Sequence, residues 1–248
     1  MDISLQLLSA ARTLSRGLDK LDFAAPITHV YNPHRYAWAP YEEYVTRFGA
    51  RQKRVVLLGM NPGPFGMMQT GVPFGEVAAV RDWMKIAART KVPTQMHPKR
   101  PIEGFACARS EVSGRRLWGW AAARFADAET FFDEWFVLNY CPLAFLEESG
   151  RNFTPDKLPA AQLRELYALC DRHLAATLTA LAPTWALGVG GFAEKRLRAV
   201  LQGDAIASDL ARRIKIGQIL HPSPASPAAN RGWEDAVNKQ LALLGIIA

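Results

Sequence analysis

Three polar side chains stand at the ends of short apolar runs, and their chemistry is the first signal in this chain. Asn61 follows residues 55–60 (VVLLGM), Asn139 lies within residues 136–141 (FVLNYC), and His221 follows residues 215–220 (KIGQIL). A side-chain amide offers a donor and an acceptor side by side, which matches the edge of a pyrimidine or another amide ligand. An Asn at a strand end can equally cap a turn. An imidazole can act as a base, bind a metal or stabilise an anion, although a single histidine is usually structural.

Two of these residues open stiff loops. Residues 59–77 (GMNPGPFGMMQTGVPFGEV) hold five glycines and three prolines. Proline fixes φ and glycine permits positive φ, so the segment is rigid yet sharply bent. It resembles a phosphate cradle but lacks both the Gly-Lys-Ser/Thr of a P-loop and the GxGxxG spacing. Such a loop can instead wrap a flat ring, with Phe65 or Phe74 against its face. Residues 221–233 (HPSPASPAANRGW) carry three prolines in seven residues. They read as a stiff, extended segment without a helix, able to enter a groove at little entropic cost. A third segment, residues 97–120 (HPKRPIEGFACARSEVSGRRLWGW), interleaves basic and aromatic side chains, the composition that tracks phosphates and stacks bases. Ser110 or Ser113 is placed to cap a short helix there, with Trp118 and Trp120 packed beneath.

Charge supports a polyanionic partner. The 248 residues carry a formal net charge of +7. Residues 85–124 hold nine basic and two acidic side chains, and residues 195–215 six and two, which leaves the rest of the chain net negative. Apolar residues make up 49% and charged residues 21%, ordinary globular usage that excludes disorder, collagen and disulfide scaffolds. No apolar run reaches the roughly 18 residues of a membrane span. Cys107, Cys141 and Cys170 are far apart, with no histidine at ligand spacing, so neither structural zinc nor an iron–sulfur cluster is expected. The odd count suits a reducing compartment, with Cys141 and Cys170 packing as small apolar residues. The N-terminal stretch shows no secretory pattern, so the expectation is a cytoplasmic or nucleoid-associated protein.

These residues need elements to hold them. Residues 55–60, 136–141, 185–189 and 215–220 read as buried strands. Helical patterns cover residues 5–18, 76–89, 117–126, 158–181, 192–201 and 234–244. With no repeat and no long linker, residues 1–248 read as a single domain. Alternation of strands and helices implies an α/β fold with a mainly parallel sheet covered on both faces. Ligands of such sheets bind at the carboxyl ends of the strands, so neighbouring strands would bring Asn61, Asn139 and His221 to one crevice. Neither rigid loop supplies a pair of carboxylates for ordinary glycoside hydrolysis, Glu76 being the nearest. There is no GxSxG elbow, and no HxE with PCxxC for zinc-dependent deamination. Positioning and electrostatic stabilisation of a good leaving group fit what is present.

The 59–77 loop, the RSEVSGRRLWG run, the NYCPL strand end and HPSPASPAANRGW together resemble the single-strand-selective monofunctional uracil-DNA glycosylases. The match runs in order over about residues 30–240. The resemblance implies a three-layer uracil-DNA glycosylase fold with a central four-stranded parallel sheet flanked by helices. It implies removal of uracil, and of 5-hydroxymethyluracil, from DNA, leaving free base and an abasic site without a lyase step, metal or cofactor. By that resemblance Asn61 positions the attacking water and His221 stabilises charge developing on uracil O2. Asn139 pairs with the N3 and O4 edge, Phe74 stacks on the flipped base, and Gly63 and Met67 border its C5 edge, with Met60 beside them. Ser110, Ser113, Arg115 and Arg116, together with Pro222, Ser223, Pro224, Ala225, Ser226, Asn230 and Arg231, would grip or fill the duplex. Vertebrate members carry Arg directly after HPSP; Ala225 stands here, which weakens side-chain wedging. The resemblance further implies single- or double-stranded DNA as partner, enzymes that take up abasic sites downstream, no membrane, and a monomer. Two other readings stay in view: a non-catalytic single-stranded nucleic-acid binding module, and a hydrolase of free nucleosides.

Overall fold

The computed structural model describes residues 2–247. The chain opens with α1 (Ile3–Leu18), β1 (Ile27–Tyr31), α2 (Pro33–Tyr36) and α3 (Trp38–Phe48). Next come β2 (Val55–Gly59), α4 (Met67–Thr70), α5 (Val112–Arg124), α6 (Ala128–Glu134) and β3 (Trp135–Asn139). β4 (Ala144–Glu147) and β5 (Asn152–Phe153) precede the long α7 (Ala160–Leu181). β6 (Trp185–Val189), α8 (Gly191–Gln202), α9 (Ser208–Arg213), β7 (Lys215–Ile219), α10 (Pro227–Asn230) and α11 (Trp233–Leu243) follow.

The four expected strands form one parallel sheet in the order β3-β2-β6-β7, flanked by helices. Every residue of β2 and β3 is buried, which explains their unbroken apolar runs. β7 lies at an edge and keeps two exposed positions. Register decides what meets at the carboxyl edge. Gly59 pairs with Asn139, Leu58 with Gly188, and Val189 with Ile219. Asn61 and His221 each stand two residues beyond the last of their strands, so both join Asn139 at one level.

Several elements differ from the sequence reading. The helix expected over residues 76–89 is one wide π-type turn, Ala79–Trp83, and it ends where Lys85 takes a left-handed φ of 56°. α5 begins five residues earlier than expected, after Glu111 rather than under a serine cap. The proline segment after His221 is not wholly extended. Ser226 accepts a hydrogen bond from Ala229 N at 3.3 Å and Pro227 occupies the first helical turn, so the short α10 forms. A second sheet, antiparallel in the order β1-β4-β5, had no sequence signal of its own. Its strands are short, and β1 lies more than a hundred residues from its partner β4.

The core packs α1 against α7 and fills the other side with aromatics. Trp118, Phe131 and Phe132 are almost wholly buried and in mutual ring contact, and buried Trp135 stacks on Phe131. Trp118 and Trp120 lie beneath the basic segment, as expected, and Cys141 and Cys170 are buried, free and small.

Candidate active site

A cleft of ≈ 370 Å³ opens at the carboxyl edge of the sheet, and Asn61, Asn139, His221, Phe74, Met60, Gly63 and Met67 all line it. Two glycines make the convergence possible. A Cβ on Gly59 would strike the Asn139 amide and the Phe74 ring, so only glycine lets both side chains reach over the end of β2. Gly190, at φ 90°, has the His221 Cβ 3.2 Å from where its own would be.

Each polar side chain has a defined orientation. The Asn61 Nδ2 donates to the Leu143 carbonyl at 3.3 Å, which leaves its Oδ1 as the acceptor. The Asn139 Nδ2 donates to Met67 Sδ at 3.2 Å, a weak acceptor, while its buried Oδ1 has no partner. A buried acceptor without a donor is costly, and a ligand N–H resolves it. At His221, Nδ1 accepts from Ser223 N at 3.1 Å. That bond selects the neutral tautomer with its proton on Nε2, and burial lowers the ring's pKa below the usual 6.5. The group is therefore a neutral N–H donor, suited to an oxygen on which negative charge accumulates.

Phe74 is 9% exposed and takes a left-handed φ of 53°, rare for an aromatic residue. α5 holds it there. Trp118 Nε1 donates to the Phe74 carbonyl at 3.0 Å, and Gly114 lacks the Cβ that would collide with that oxygen. The Phe74 and His221 rings stand 6.4 Å apart at 46°. Phe65 does not line the cleft. It lies under the guanidinium of Arg109, 3.9 Å from the ring centre.

Glu111 was missed. The sequence reading found no useful carboxylate in the rigid loops, but α5 brings this one from a third segment into the cleft wall. Glu111 Oε2 accepts from Phe65 N at 3.2 Å and sits where a Cβ on Gly63 would be. Burial raises its pKa, against the lowering by the N–H groups of Phe65 and Ser113. Asn152 of β5, with an unpartnered Oδ1, and Thr154 just after that strand complete the wall. Glu111 stands in the RSEVSG run, so its position was legible; the role of Asn152 and Thr154 depends on the second sheet and was not.

The expected DNA-contacting residues are placed differently from one another. Ser113, Ser223 and Pro224 line the cleft, whereas Ser110, Arg115, Ala225 and Arg231 are exposed around it. Arg116 and Asn230 are engaged within the protein. Arg116 Nη1 donates to the carbonyls of Pro222 and Ser223 at 3.0 and 3.3 Å, and its Nη2 donates to Asn230 Oδ1 at 2.8 Å. Asn230 Nδ2 in turn donates to the Pro224 carbonyl at 2.9 Å. Pro222 is buried and Ser226 caps α10, so this loop is fastened from both sides. Among the described residues no group of three or more His, Cys, Asp or Glu is placed to hold a metal, and no helix is long and apolar enough to cross a membrane.

Similarity to known proteins agrees with this architecture. The single-strand selective monofunctional uracil-DNA glycosylase of Rattus norvegicus is 47% identical over 234 residues, covering 94% of this chain and 82% of the rat protein. The Mus musculus and Bos taurus proteins of the same name are each 46% identical over the same length, with 82% and 84% of their chains covered. The crystal structure of wild-type SMUG2 from Pedobacter heparinus superposes with a TM-score of 0.65 over 95% of this chain and 97% of its own, at 20% identity, a likeness of fold. Residues 46–242, which carry the whole parallel sheet and every polar group of the cleft, match the uracil DNA glycosylase superfamily. Sheet order, cleft and sequence thus lead to one conclusion: the chain belongs to the uracil DNA glycosylase superfamily, in its single-strand selective monofunctional branch.

Proposed function

We propose that this protein is a monofunctional uracil-DNA glycosylase, which flips uracil out of DNA and hydrolyses its N-glycosidic bond to leave free base and an abasic site. The observation that carries the reading is the unpartnered, buried Oδ1 of Asn139, facing a cleft that also holds a neutral imidazole donor. Uracil supplies the missing donor at N3–H, and its O4 accepts from Asn139 Nδ2. Phe74 offers its face to the base. His221 Nε2–H donates to O2 and stabilises the uracil anion as the bond to C1′ breaks. Asn61 Oδ1 accepts from a water and aims it at C1′. An amide does not deprotonate water as a carboxylate does, so the bond breaks largely before water is captured. Leaving-group stabilisation is then the larger contribution. Gly63 and Met67 edge the C5 side and set the tolerance for 5-hydroxymethyluracil.

The natural substrate is single- or double-stranded DNA of the nucleoid or cytoplasm, met by exposed Ser110, Arg115 and Arg231. One cleft takes one flipped base, so a monomer suffices, and the abasic product passes to downstream repair enzymes. The test is uracil release from matched single- and double-stranded oligonucleotides in EDTA. Wild type should release uracil. His221→Ala should lose on the order of 10²–10³-fold in rate, as for one oxyanion donor, and Asn61→Ala should also be strongly impaired. Binding without release by the wild-type protein would instead favour a non-catalytic binding module.

A further inference from the structure

A second cleft of ≈ 320 Å³ shares no residue with the first. Its walls include Arg12 and Arg16 of α1, His34 and Arg35 of α2, Trp38 at the start of α3, and Lys91. Four cations thus converge from three segments. Two are partly neutralised at the rim: Arg12 pairs with Glu42 at 2.9 Å while lying 4.0 Å over the Trp38 ring, and Arg35 meets Asp19 at 3.3 Å. Among the described residues Arg16 and Lys91 have no ion-pair partner, so positive charge is left over.

The second observation is beneath these cations. His34 is only 6% exposed, and neither of its ring nitrogens makes a hydrogen bond. Its neighbours do not satisfy it. The Tyr41 ring lies 4.2 Å away centre to centre, and His173 of α7 has an unpartnered Nδ1 itself. Burial first, and His173 second, lower the His34 pKa to about 3, so the ring is a neutral donor and acceptor rather than a fifth cation. Buried polar groups are rarely left unpaired, and an exception calls for an explanation such as a bound water or ion.

We propose that this cleft is a binding site for a phosphate group, monoester or diester, held by Arg16, Arg35 and Lys91 above the His34 imidazole. A tetrahedral phosphate presents several strong acceptor oxygens, which suits forked guanidiniums and an ammonium converging from different directions. The cleft is also joined to the catalytic loop. Tyr36 Oη donates to the Met68 carbonyl at 2.7 Å, and Gly71 lacks the Cβ that would strike the Ala37 carbonyl. A phosphate seated here therefore sits on α2, whose last residue, Tyr36, is bonded to α4. The proposal does not depend on the reading of the first cleft.

The experiment is NMR of the full chain with labelled histidine rings, titrated in turn with inorganic phosphate, thymidine 5′-monophosphate and a uracil-free single-stranded oligonucleotide. The His34 signals should shift and saturate, while the same free phosphate leaves His221 unmoved. Arg16→Glu combined with Lys91→Glu, both at exposed positions, should weaken saturation by about tenfold or more, with an unchanged thermal melt as the check of folding. His34→Phe fills the space without a donor and should also weaken binding. Response to the monophosphate assigns a free phosphate group, and response to the oligonucleotide alone assigns a strand phosphate. No shift at His34 with any of the three would overturn the proposal, as would unchanged affinity in the double variant.

Discussion

Asn139 has one amide hydrogen on a methionine sulfur and a buried carbonyl oxygen with no donor. That arrangement favours a ligand over the empty protein. Asn139→Ala should therefore lose about 10²-fold or more in kcat/KM for uracil release, because the edge of the base loses both of its bonds. The same variant should unfold at the same temperature as wild type or higher, since the unmet acceptor is gone. Thermal melts beside excision rates check both halves; a clear loss of stability would show that Asn139 serves the fold. Ala225 sits exposed in the loop after His221, its N–H held by Ser223 Oγ at 3.1 Å. A methyl group there has no reach into a base stack. Ala225→Arg should raise excision from duplex DNA several-fold relative to single strands, by adding a phosphate-pairing, stacking side chain. Equal changes on both substrates would refute a wedging role.

The elements show why some readings succeeded and others failed. β2, β3 and β6 are buried, so their apolar runs were plain, and the polar residues Asn61 after β2 and Asn139 at the end of β3 stood out. The segment 76–89 has helical spacing, but its apolar residues face a wall built by α5, and the chain turns away at Lys85. Pro222, Pro224 and Pro227 suggested an extended strap; Ser226 and Pro227 instead start a helical turn, because proline is well suited to that first position. Arg116 of α5 is the clearest case of a role hidden from composition. It was read as a phosphate contact, yet two of its nitrogens hold the carbonyls and amide of the His221 loop. Arg116→Ala should lower kcat/KM by about 10- to 100-fold, the range for charge-assisted hydrogen bonds, and make the loop more sensitive to protease. Arg116→Lys should recover only part of this, since one ammonium does not reproduce the fork. Full activity in both variants would remove the clamp from the argument.

At the scale of the molecule, acid stability depends on buried histidines. Burial depresses the pKa of His34 to about 3, of His173 to about 4, and of His221 below the usual 6.5. The unfolded chain therefore takes up these protons first. Their stabilising contribution is complete above about pH 6.5 and declines as pH falls toward 4, by up to about 1.4 kcal/mol per pH unit for each histidine. Glu111, with its raised pKa, opposes this weakly at the acid end. Urea midpoints should fall steadily between pH 7 and 4.5, and His173→Gln should flatten that slope; a flat wild-type profile would refute the assignment. The cations of the second cleft illustrate the same limit of sequence reading at this scale. Arg12, Arg16 and Arg35 lie outside both basic segments of the chain, and only the packing of α1 against α2 and α3 gathers them. By itself the sequence determined the parallel sheet, the rigid loops and the three polar residues beyond the strands, because each is written in local runs of residue type. Register, the hairpin that brings Asn152, the approach of Glu111 and the fastening of the His221 loop were decided by tertiary structure. All but the hairpin depend on contacts between segments far apart in the chain, and the hairpin's strands are too short to show a pattern of their own.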